Sequence, residues 1–180
     1  MKKIDLGCGN AKRDKESIGV DAVKLPGVDF VCDIDKEKLP FEDNEIDEVY
    51  SRHLFEHLEN FFFVMKEVHR VLKPEGQLVL KVPYFAAPTS YSDPTHKRFF
   101  GIYSFQCFDP TSGKYSYREV ENTKFELISV RYSFHYGFLS KFFEKLFNKS
   151  KGVQAKYERY LCYFIPAYDL KFILKPIKDV

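Results

Sequence analysis

The chain contains no tryptophan and only two methionines, so its 17% aromatic content rests on 19 Phe and 12 Tyr. Its four cysteines, at positions 8, 32, 107 and 162, are scattered without a C-x-x-C pair, and neither a zinc ribbon nor a disulfide-stapled scaffold is indicated. No apolar run approaches the roughly 20 residues of a membrane span, and the opening M-K-K-I-D lacks the apolar stretch of a signal peptide. The expected location is therefore cytoplasmic. Net charge is small as well: 28 basic against 26 acidic residues leave +2, without the electrostatic footprint of a protein that wraps nucleic acid. A nucleic-acid partner is disfavoured. Repeats, low-complexity tracts and dividing linkers are also missing, so residues 1–180 read as a single domain, long enough for a sizeable core.

What is present has α/β ordering. Short apolar runs at 4–6, 18–20, 28–32 and 46–50 each end near a polar or small residue, as strands do when their carboxyl ends line a crevice. Leu58, Phe61, Val64, Met65, Val68, Val71 and Leu72 then recur at three- and four-residue spacing and build one apolar helix face. Pro74 and Gly76 stop that helix, and 78–82 reads as a buried strand closed by Pro83. Residues 84–121 are long, irregular and rich in Tyr, Phe, Ser and Pro, which marks a lid or a functional loop. A strand at 125–134 follows. Apolar residues at helical spacing then predict a helical insertion over 138–165, before a closing strand at 170–174. The expected fold is α/β and Rossmann-like, a mostly parallel seven-stranded sheet.

The loop after the first strand reads D-L-G-C-G-N (5–10). Its two glycines allow a tight turn and the close approach of a ligand. The dinucleotide pattern needs a third glycine where Lys12 stands, so NAD is disfavoured, and no P-loop is present. Acidic residues at successive strand ends strengthen the signal. Asp21 closes the second strand, where a carboxylate can accept from both hydroxyls of a ribose. Asp33 closes the third, within reach of an adenine amino group.

With IGVDA (18–22), CDID (32–35), LPFEDNEIDEVYSRHLFEHL (39–58) and EVHRVLKPEGQLVLKVP (67–83), the sequence resembles the class I S-adenosylmethionine-dependent methyltransferases, in particular the small group sharing D-L-G-C-G. The resemblance covers the first half tightly, and YLCYFIPAYDLKFILKPIK (160–178) looks like the closing elements of that group. It implies S-adenosylmethionine as cofactor, with Gly7, Cys8 and Gly9 on its methionine part and Asp5 shaping the loop. Asp21 would hold the ribose, Asp33 and Ile34 the adenine, and Ser51 would face the methionine portion near the sulfonium. Cys8 reads as a small loop filler in preference to a nucleophile.

The chain departs from the family where crossovers are short: only 11–17 and 22–27 are available between strands one and two and between two and three, too few for full helices. One sheet face is thereby expected to be bare. The amphipathic segments 138–147 and 153–164 are expected to fold back over it, or to pair there with a second copy as a homodimer. The rival placement is on an anionic membrane surface, since Lys141, Lys145, Lys149 and Lys151 flank many Phe.

For methyl transfer the candidate catalytic residues are His53, just past the fourth strand, then Tyr84, Asp93 and His96 in the loop after the fifth. Arg52, Glu56 and His57 share the first of these loops, with His57 read as structural. Asp93 and His96 would make a base with its orienting carboxylate, a polar turn holding the lid, or half a metal site. With no other ligand cluster in the sequence, no metal is expected. The reading is a methyltransferase acting on a small or lipid-linked acceptor. Its rival is a non-catalytic module that binds the cofactor or a partner through the same fold.

Overall fold

The computed structural model describes residues 1–112, 120 and 122–178. Residues 113–119 and 121 of the expected lid lie outside the described residues. Seven strands form one sheet: β1 (Lys3–Leu6), β2 (Ile18–Asp21), β3 (Phe30–Val31), β4 (Ile46–Arg52), β5 (Leu72–Pro83), β6 (Lys124–Ser133) and β7 (Asp169–Ile177). Their order is β3-β2-β1-β4-β5-β7-β6. The first five are parallel, and β7 runs antiparallel between β5 and β6. Four α-helices are described: α1 (Phe61–Val71), α2 (Thr89–Ser92), α3 (Ser140–Phe147) and α4 (Lys151–Tyr160). None is long and apolar enough to cross a membrane.

Strand periodicity decides where the core sits. Leu6 pairs with Ser51, Ser51 with Leu80 and Leu80 with Phe172, so these side chains share one face of the sheet. Val64, Met65 and Val68 of α1 are buried in the same core cluster. Residues 100–108 complete that face. Phe105 lies 5.8 Å from Phe61, 5.7 Å from Phe100 and 4.7 Å from Phe172, ring centre to ring centre. Much of the aromatic stretch expected as a lid is therefore core, filling the place of a helix after β5; fully burying one Phe contributes about 1.5–3 kcal/mol.

The crossovers before β2 and β3 contain no helix among the described residues. They lie flat instead. A Cβ on Gly19 would meet the Gly27 carbonyl at 2.1 Å, so the 22–27 segment rests directly on β2 and only glycine fits beneath it. Farther across that face the sheet is left open, and the chain places polar side chains there: Glu48, Lys81, Lys171 and Lys175 alternate with the buried positions.

The expectation that the aromatic tail folds back over the bare face is corrected by this topology. Tyr132 pairs with Leu170, which shares a face with Phe172, and Tyr157 of α4 packs on Tyr132 at 4.6 Å. The insertion therefore extends the helical side already covered by α1 and leaves the bare face bare. Polar side chains on either side of the Tyr50–Val79–Ile173 row reduce the apolar surface left to cover there. Only one side of the insertion is buried: Phe147 and Tyr157 point inward, while Phe138, Phe142, Tyr163 and Phe164 are exposed.

Candidate active site

The crevice lies at the carboxyl ends of β1 to β5, and its first wall is made largely of backbone. Gly7 and Gly9 take left-handed φ values of 69° and 57°, the conformation that L side chains resist. The Gly7 amide donates to the Val20 carbonyl (2.8 Å) and the Gly9 amide to the Asp21 carboxylate (3.0 Å). Asp21 accepts from the Val23 amide as well (3.1 Å), and its own carbonyl accepts from Cys32 (2.9 Å). Gly9, Asp21 and the start of the Asp33 turn are thus tied into one rim. Asp33 pairs with Lys36 at 2.7 Å, which holds its carboxyl below the usual range.

Asp5 is 4% exposed, and burial raises its carboxyl although the Arg13 amide donates to it and Arg52, Arg13 and Lys12 lie nearby. It braces the glycine loop from beneath. The Cys8 thiol donates to the Gly27 carbonyl (3.3 Å), and burial, with the Asp5 and Asp21 carboxylates, pushes it up to about 11. Such a thiol clips the loop to the crossover. Ile34 is turned into the core at 8% exposure. Ser51 is corrected: its hydroxyl donates to the Leu6 carbonyl (2.9 Å), and the residue is 1% exposed, a clamp between β4 and β1 that faces no open crevice.

The second wall is made of side chains. His53 follows β4 with φ 53°, the left-handed conformation, and its amide donates to the Lys81 carbonyl at 2.9 Å. Holding a non-glycine residue there costs on the order of 1–2 kcal/mol, and such strain gathers at working sites. The imidazole Nδ1 lies 3.2 Å from Glu56 Oε1, and Nε2 lies 3.5 Å from Asp169 Oδ1. Both carboxylates are buried, at 1% and 0% exposure, and Lys81 pairs with Asp169 at 2.8 Å. His96 Nε2 approaches Glu56 Oε1 and Asp93 Oδ2, each at 4.0 Å. Thr95 holds the Asp93 carboxyl below its ordinary value through its hydroxyl and amide. His53, Glu56, Asp93 and His96 line a cleft of about 570 Å³, together with His57 and Tyr168. Leu54, next to His53, lies against Gly7, so the two walls meet.

Tyr84 is corrected. Its ring is 0% exposed, 5.3 Å from Tyr132, and burial drives its phenol far above the ordinary range. It is a core residue that touches no part of the cleft. Sequence reasoning missed Asp169 and Lys81 and gave Glu56 no role. The available signal was a carboxylate standing at the head of a strand whose alternate positions, Leu170, Phe172 and Leu174, are apolar.

Comparison with known proteins bears on this crevice. Residues 4–80 match the methyltransferase domain family. A sterol 4-C-methyltransferase of Caenorhabditis elegans is 34% identical over 70 residues, covering 37% of this chain and 21% of that protein, so the match spans about a fifth of the relative's length. A solved S-adenosylmethionine-dependent methyltransferase from Archaeoglobus fulgidus superposes with a TM-score of 0.61 at 19% identity, covering 97% of this chain and 85% of its own. The YcgJ protein of Bacillus subtilis gives 0.58 at 18% identity over 99% and 92%. The strand order and the crevice at the strand ends define a Rossmann-like methyltransferase fold. The family match over residues 4–80 and the shared fold support a class I S-adenosylmethionine-dependent methyltransferase domain and imply S-adenosylmethionine as the cofactor.

The residues of the first wall fit that cofactor. A Cβ added at Gly9 would meet no atom within 4 Å, so the loop opens onto free space while the left-handed turn excludes other residues. Asp21 ends β2, and Asp33 stands two residues past Val31 of the neighbouring β3.

Proposed function

We propose that the protein transfers a methyl group to a nucleophilic atom of a small or lipid-linked acceptor seated in the His53–His96 cleft. The observation that carries this reading is His53 held between two buried carboxylates, one residue from the side chain that packs on the glycine loop. When bound, S-adenosylmethionine supplies a methyl carbon already activated on sulfur. Gly7, Gly9, Asp21 and Asp33 hold the nucleoside and methionine parts, and the cleft holds the acceptor in line, which supplies several kcal/mol. Where the acceptor carries O–H or N–H, His53 Nε2 would take that proton, while the methyl carbon would pass to the acceptor atom and the electron pair of its bond to sulfur would stay on sulfur. Glu56 fixes the ring through Nδ1, and Asp169 faces the new N–H charge.

Two features support the lipid-linked arm. Phe138 and Phe142 stand four residues apart and are 90% and 59% exposed, beside exposed Lys141 and Lys145. The Tyr136 hydroxyl donates to the Pro166 carbonyl (3.0 Å), bringing that apolar ridge beside exposed Tyr163 and Phe164, a few residues before Tyr168 of the cleft. A ridge of this kind would rest on an anionic bilayer with the cleft near the headgroups. The sterol specificity of the relative from C. elegans points in the same direction.

Calorimetry with S-adenosylmethionine, followed by transfer of labelled methyl to an acceptor panel presented free and in anionic vesicles, tests both parts. Cofactor binding with methyl transfer to a vesicle-borne acceptor is expected. Absence of cofactor binding overturns the reading. Binding without transfer to any acceptor leaves a non-catalytic module, and transfer to free polar acceptors alone removes the lipid arm.

A further inference from the structure

Glu56, His57 and His96 come from two loops far apart in sequence, yet one ligand atom from each lies within 4.8 Å of the others. Their hydrogen bonds leave the same edge of each ring free. The Thr95 hydroxyl donates to Asp93 Oδ1 (2.6 Å), so at 2.8 Å it accepts from His57 Nδ1–H. His96 Nδ1 lies 3.0 Å from the Ser90 carbonyl, which has only lone pairs to offer, so this nitrogen too carries its hydrogen. Both Nε2 atoms therefore keep their lone pairs. The two rings stand edge to face with centres 4.8 Å apart.

The third group is a carboxylate with an unspent oxygen. Glu56 is 1% exposed, and its Oε2 is buried with no hydrogen-bond partner among the described residues. A buried carboxylate oxygen left unpaired is costly, and this one belongs to a carboxylate whose ligand atom lies within 4.8 Å of those of both imidazoles. Asp93 Oδ2, 4.0 Å from His96 Nε2, stands on the open side of the cluster.

We propose that Glu56, His57 and His96 form a binding site for a divalent transition ion of the zinc type. Two imidazoles and one carboxylate are a ligand set zinc accepts in open sites, with the remaining position left to water or substrate. Ligand atoms about 2.0–2.1 Å from such an ion stand roughly 3.4 Å apart in a tetrahedron. The 4.0 Å between His96 Nε2 and Glu56 Oε1 closes to that by a small side-chain rotation. The Nδ1 partners, a hydroxyl backed by a carboxylate and a backbone carbonyl, are the outer-shell contacts that fix a ligating histidine. Because the cluster lines the acceptor cleft, an acceptor oxygen in the open position would be polarised beside His53. This last role rests on the proposed function; the binding of the ion does not.

Chelator-stripped full-length protein is titrated with Zn²⁺, and separately with Co²⁺ to read d–d absorption. Saturable uptake of a single ion per chain is expected, with Co²⁺ bands of a four- or five-coordinate nitrogen and oxygen site. His57→Ala and His96→Ala should each weaken Zn²⁺ affinity at least about tenfold, with circular dichroism and calorimetric S-adenosylmethionine binding unchanged. Glu56→Gln serves as a third variant, and a Zn²⁺-dependent rise in Tm in the parent chain, absent from His57→Ala, gives a readout that survives poor folding of any one variant. Absence of saturable uptake, or uptake indifferent to both histidine variants, overturns the site while intact cofactor binding leaves the methyltransferase reading standing.

Discussion

On the cofactor side of the crevice, Gly9, Asp21 and Asp33 sit on loop tips, and the binding groups are backbone amides or carboxylates tied to them. On the acceptor side, Glu56 and Asp169 are sealed in the protein, and His53 and His96 reach into the cleft against them. The first wall is local: Gly9 and Asp21 stand twelve residues apart and are joined by one hydrogen bond from the Gly9 amide, in the loop after β1, to the Asp21 carboxylate at the end of neighbouring β2. The second is assembled across the chain, from the β4 loop, the 93–96 turn and the head of β7. A cofactor shared by a whole fold can be held by strand ends that every member possesses. An acceptor particular to one protein needs side chains brought together by its own insertions.

Substitutions can break this division of labour. The largest effect is expected from His53→Ala, which should lower kcat about 10²–10⁴-fold while calorimetric affinity for S-adenosylmethionine stays within a factor of two. Comparable losses in both would merge the two walls into one. His53→Gly should lose the same activity yet melt higher than His53→Ala, because glycine accepts the φ of 53° without strain. Asp21→Ala should come next, weakening cofactor affinity by about 1.5–3 kcal/mol, or roughly 10–150-fold. It removes the proposed ribose anchor and also frees the Gly9 and Val23 amides.

The smallest effect concerns a half-buried carboxylate outside the cleft. Glu158 accepts from the Ile102 amide (3.0 Å) and the Tyr132 hydroxyl (3.3 Å), and burial raises its carboxyl above the ordinary 4.5. The folded chain therefore binds this proton more tightly than the unfolded one. Its contribution to stability is present below pH 4.5 and is lost as pH climbs through the raised value. Glu158→Gln should raise Tm at pH 8, leave it nearly unchanged at pH 4 and spare activity at both. Loss of activity would extend the acceptor wall into the aromatic core.

The strands were legible because their cause is local. Alternation in Leu78, Leu80 and Val82 against Gln77 and Lys81 declares one buried face whatever packs upon it. The short crossovers were equally plain, since a dozen residues cannot hold a turn, a helix and a return. Glu48, Lys81, Lys171 and Lys175 already marked part of the second face as polar beside the apolar Tyr50–Val79–Ile173 row, and that signal was overlooked when the insertion was expected to cover it. Tyr84 and Ser51 misled for a related reason. Each ends or follows a strand aimed at the crevice, but strand parity turns Ser51 toward the core, and Tyr132 with Tyr157 encloses Tyr84.

By itself the sequence determined the strand succession, the glycine loop and the acidic strand ends, and through them the kind of cofactor. These follow from backbone sterics and from patterns a few residues long. Tertiary structure alone decided which face the aromatic insertion joins, that Asp169 backs His53, and that Glu56, His57 and His96 meet. Such contacts depend on the register of β7 against β5 and on the path of the 84–99 turn, and neither leaves a periodic trace in the residues it brings together.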